Sequence, residues 1–102
     1  MHLVQILLPV RDDEGRPFGR EPFARVRDEL TERFGGVTAY LRSPAEGAWQ
    51  DPGGGVDRDD VVILEVMAEE LDRAWWREYR GELEARFRQD EVVVRATEME
   101  RL

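Results

Sequence analysis

The chain has 102 residues, enough for one hydrophobic core and no second. Asp and Glu number 23 against 15 basic residues, a net charge of −8 with a pI near 4.7, so a polyanion would meet like charge and no nucleic-acid partner is expected. There is no cysteine, which excludes disulfides, thiolate metal centres, iron–sulfur clusters and cysteine nucleophiles.

Leu3 to Leu8 is short, apolar and stopped by Pro9, which predicts a buried strand. No basic leader precedes it and no run approaches ~18 apolar residues, so a cytoplasmic chain without a membrane segment is expected. Arg11 to Pro17 is a charged turn, and Glu21-Pro22 places proline where a first helical turn accepts it. Phe23, Val26, Leu30 and Phe34 then form one apolar stripe at i, i+3, i+7 and i+11, and Gly35-Gly36 ends that helix. Val37 to Arg42 alternates, with Val37, Ala39 and Leu41 on one side and Thr38, Tyr40 and Arg42 on the other, as in a half-buried strand.

Ser43 to Asp59 is a long connection holding Trp49 and Gly53-Gly54-Gly55, and long loops are often binding loops. Val61 to Met67 reads as a central strand. Asp72 caps a second helix whose stripe is Trp76, Tyr79, Leu83 and Phe87, widened by Trp75. Glu91 to Ala96 is the last strand, with Val92, Val94 and Ala96 toward the helices. Residues 1–102 therefore read as a single α+β domain of β-α-β-β-α-β order. That is the ferredoxin-like arrangement, an antiparallel sheet of order 4-1-3-2 with both helices on one face.

From Leu30 to Val94 the chain resembles small uncharacterised bacterial ferredoxin-like domains that share a Phe-Gly-Gly-x-Thr turn, a Gly-x-Trp hairpin and a Phe-x-Gln-x-x-Val ending. Here these are Phe34-Gly35-Gly36-Val37-Thr38, Gly47-Ala48-Trp49 and Phe87-Arg88-Gln89-Asp90-Glu91-Val92. The resemblance implies the fold and no established activity. Dimeric small-molecule monooxygenases have the same topology, and in them two open sheet faces enclose a pocket.

Alternation leaves Leu3, Gln5, Leu7, Val61, Ile63, Glu65, Met67, Tyr40, Arg42, Val93 and Arg95 on the sheet face away from the helices. This face is apolar with a polar band across its middle, the composition of a dimer interface or a ligand cleft. Gln5, Tyr40, Arg42, Glu65 and Arg95, with Trp49 from the long loop, are the candidate ligand-binding residues. The leading reading is a non-enzymatic domain that forms a homodimer or binds a small molecule through this face. The alternative is a cofactor-free enzyme of the dimeric α+β barrel type acting on a small hydrophobic or carboxylate substrate, with Glu65 as general base and Arg42 or Arg95 stabilising the developing anion.

Other chemistries find no support. His2 is the only histidine and stands beside Met1, a poor foundation for a Ser-His-Asp triad or a histidine metal site, so no catalytic residue is assigned. Asp12-Asp13-Glu14 and Asp57-Arg58-Asp59-Asp60 lack calcium-loop spacing and read as solvated acidic turns, which leaves no metal site expected. Gly53-Gly54-Gly55 leads into a strand rather than a helix, unlike a phosphate loop, and no cofactor is implied. Val61 to Met67 lacks the aromatics of an RNA-recognition sheet.

Overall fold

Among the described residues six elements follow in the order β1 (His2–Pro9), α1 (Arg20–Phe34), β2 (Thr38–Arg42), β3 (Val61–Ala68), α2 (Arg73–Arg86) and β4 (Val93–Glu98). The computed structural model describes residues 1–42 and 60–102, and of Arg42 the backbone. The strands form one antiparallel sheet of order β2-β3-β1-β4. This is the ferredoxin-like topology, with α1 lying against β3 and α2 against β4.

Strand β1 occupies the centre because both its neighbours can bury apolar side chains beside it. Val4, Ile6 and Leu8 stand in register with Val66, Leu64 and Val62 of β3. Together with Val26 and Leu30 of α1 and Trp76, Tyr79 and Leu83 of α2, the β1 trio and Leu64 and Val66 form the core. Each such large side chain contributes about 1.5–3 kcal/mol by leaving water. Both helical stripes thus face the sheet at the expected spacing, and Phe87, just past α2, is fully buried with them.

The ends of the helices are set locally. Gly35 closes α1 in the left-handed region at φ 81°, donating its N–H to Thr31 O, a conformation that disfavours side chains with a Cβ. Asp72 caps α2 by accepting the Trp75 N–H. After α2, the Gln89 side chain donates to the Phe87 and Arg11 carbonyls. Glu84 then accepts the Val92 N–H at 2.9 Å and aims the chain into β4.

Strand β4 and the coverage of β2 differ from the sequence expectation. Strand β4 runs two residues further on, and Val92 enters the core from the segment just before it. Strand β2 alternates as expected, but its helix side is not covered: Ala39 is exposed and Leu41 is 61% exposed. The helix layer rests on β3 and β4, so the edge strand extends beyond its reach. Trp75 widens the buried stripe as expected. Its ring stacks on Tyr79 at 4.8 Å, and the Arg33 guanidinium lies 4.1 Å from its centroid.

Candidate functional site

On the sheet face away from the helices, register alone builds a polar row. Thr38 of β2 pairs with Glu65 of β3, Glu65 with Gln5 of β1, and Gln5 with Arg95 of β4. Residues directly opposite in antiparallel strands point the same way, so the four side chains project side by side.

Three of them are hydrogen-bonded in series. Arg95 Nε donates to Gln5 Oε1 at 2.8 Å, and Gln5 Nε2 donates to Glu65 Oε2 at 3.2 Å. The same amide nitrogen lies 3.5 Å from the Tyr40 hydroxyl, at the outer limit of a hydrogen bond. Gln5 is therefore a spacer that uses both ends of its amide and keeps a guanidinium and a carboxylate two strands apart.

Apolar groups flank the row. Met67 is 46%, Val93 45% and Tyr40 39% exposed. Ile63 behaves otherwise: it is fully buried, although it stands outside the helix-side core, flanked in register by Leu7 and Tyr40. Among the described residues no helix or strand packs over this face. Toward one end, Glu65, Thr38, Leu3 and Met67 line a hollow of about 580 Å³ that is also bordered by the Gly35-Gly36 turn, Glu69 and Arg101.

Four of the six expected site residues, Gln5, Tyr40, Glu65 and Arg95, are thus brought together. Arg42 is placed by its backbone pairing with Val61 at the far end of β2. Trp49 lies outside the described residues.

The acidic turn expected before α1 holds itself together. Asp12 Oδ1 accepts the backbone N–H groups of Glu14 and Arg16, and Oδ2 accepts from Arg16 Nε. The Arg16 N–H first, and then the Glu14 N–H and the Arg16 charge, lower the Asp12 carboxyl below its ordinary 3.8 against the cost of its desolvation.

Sequence reading missed a polar cluster in the seam between the helices. Arg86 grips Glu29 with two parallel bonds of 2.7 Å and reaches Glu82 at 2.6 Å, while the Tyr79 hydroxyl donates to Glu29 at 2.9 Å. The Arg86 bond holds the Glu29 carboxyl below its ordinary 4.5 despite desolvation, with Tyr79 adding to the effect. Burial first, then the Glu29 carboxylate, raises the Tyr79 phenol. Arg86 stabilises this seam and does not border the open face.

No protein-family model and no curated protein matches the chain. Among solved structures it is similar to a phage SAM lyase in complex with S-methyl-5′-thioadenosine, with a TM-score of 0.57 and 16% identity over 95% of this chain and 80% of that one. At this identity the likeness concerns the fold alone.

Proposed function

We propose that the open sheet face is an interaction surface on which two copies of the chain pack, with a small polar ligand held in the hollow beside Glu65. The observation that carries this is the Arg95–Gln5–Glu65 series set in an otherwise apolar face. An amide between the two charges leaves one end of the row positive and the other negative. Two-fold symmetry exchanges the ends, so Arg95 of one copy would approach Glu65 of the other while Met67, Val93 and Tyr40 leave water. The ligand is expected to carry more donors than acceptors, because Glu65 and Glu69 bring two carboxylates to the hollow against the single cation Arg101.

Native mass spectrometry of the purified protein tests both halves. The expected result is a dimer, with added mass if the ligand is retained. Met67→Arg should yield a folded monomer by circular dichroism, since the side chain is half exposed and outside the core. A wild-type monomer without added mass at micromolar concentration sinks the proposal.

Glu65 on the wall of the hollow also supports the second reading, a cofactor-free enzyme with this carboxylate as base. Ligand recovered from the first experiment separates the two. With S-methyl-5′-thioadenosine as the first added probe, Glu65→Gln should retain binding and lose turnover in an enzyme, and lose binding in a pure receptor.

A further inference from the structure

Helix α2 carries arginine at positions 73, 77 and 80. The spacing i, i+4, i+7 puts all three on one flank of its buried stripe. On that flank a groove of about 250 Å³ runs between α2 and the outer edge of the sheet at β4. Leu71, Trp76, Val94 and Ala96 give it apolar walls, and the three arginines border it.

None of these arginines forms an ion pair with a described carboxylate. Like charges at these spacings repel, and Arg73 stands in the first turn, where the helix dipole disfavours a cation. The nearest acid, the N-cap Asp72, accepts the Trp75 N–H and pairs with Arg33 of α1 at 3.8 Å, and the first turn itself holds no acidic residue. Four residues beyond Arg77, where a glutamate would neutralise it, the chain has Gly81. A protein of net charge −8 repels anions in general, so three guanidiniums along an apolar groove, none ion-paired to a described carboxylate, form a local exception.

We infer that this groove binds an amphipathic anion: a carboxylate or phosphate monoester joined to an apolar body. The body lies against Leu71, Trp76 and Val94, and the head group takes paired N–H donors from the arginine flank. Arg73 to Arg80 spans roughly 10 Å along the helix axis, which suits an elongated ligand over a bare ion. The groove opens on the helix side of the sheet and shares only Arg95 of the edge strand with the open-face row.

An NMR titration of the isotope-labelled protein tests it, with octanoate and octyl phosphate as probes and inorganic phosphate and octanol as controls. Saturable amide shifts are expected at Leu71, Arg77, Val94 and Ala96 with both amphiphiles. Inorganic phosphate and octanol should each bind at least about tenfold more weakly. The double variant Arg77→Gln/Arg80→Gln, exposed and distant from the core, should weaken the amphiphiles by about tenfold or more while leaving the rest of the spectrum in place. Whichever amphiphile binds more tightly identifies the head group. Absence of saturable shifts in the groove at millimolar ligand overturns the inference, as does octanol binding equal to octanoate. So does an affinity untouched by the double variant, or shifts confined to Leu3, Glu65 and Met67 on the open face.

Discussion

The two flanks of helix α2 both carry arginine, and they treat it in opposite ways. Toward α1, Arg86 is 16% exposed and bound by both Glu29 and Glu82, with Tyr79 completing the cluster. Toward β4, Arg73, Arg77 and Arg80 border an open groove and form no ion pair with a described carboxylate, Glu84 being engaged by the Val92 N–H. A guanidinium withdrawn from water needs partners already in place, whereas one left in water can wait for them. The first flank therefore serves stability and the second is free to serve recognition.

The largest test of that contrast is to strip the seam. Glu29→Leu leaves the Arg86 guanidinium with Glu82 alone and the Tyr79 hydroxyl without its acceptor, and should cost about 2 kcal/mol. Urea unfolding at neutral pH reads this as a lower midpoint with unchanged slope.

Acid provides a second, smaller test of the same flank. The Glu29 carboxyl sits below 4.5 in the folded chain, so its stabilisation is full above that value and fades as pH falls through the folded pKa. Arg86→Gln should remove part of the acid sensitivity as well as some stability at neutral pH. A wild type and variant with parallel stability curves down to acid pH would break the assignment.

The groove flank should respond with the opposite sign. Arg77→Gln relieves repulsion from Arg73 and Arg80, and a gain of about 0.2–0.5 kcal/mol is expected in thermal unfolding without ligand. Arg73→Glu, which also places an acid in the first turn, should gain roughly 0.3–1 kcal/mol at low salt and less at high salt. If either change destabilises the protein, the groove arginines are structural and the two flanks are alike.

Where the sequence was informative, the reason is local. Helical stripes and strand alternation depend on residues within a few positions of one another, so the six elements and the inward faces of β1 and β3 were readable. The same alternation put Gln5, Glu65 and Arg95 on one face, and antiparallel order made them neighbours. That Gln5 stands between the charges and bonds to both depends on register, which periodicity does not fix to one residue. Leu41 was misjudged because alternation says which side a residue faces and not whether a helix reaches it. Arg86 and Glu29, 57 positions apart, carry no local mark, and neither do the groove arginines that pair with no described carboxylate.

Strand β1 has a further consequence, for the order of assembly. It pairs with β3 across separations such as Leu8 to Val62 and with β4 across His2 to Glu98, so the first strand made is flanked by two of the last. During synthesis its apolar Leu3 to Leu8 run has neither neighbour until most of the chain has emerged, and it must be kept from pairing with other chains in the interval. High contact order of this kind slows folding relative to a helical protein of equal size. The side chain of Gln5 is then the one polar break in a nascent segment that would otherwise be a continuous apolar strand from Leu3 to Leu8, so the residue that organises the finished face also moderates the hazard of the unfinished chain.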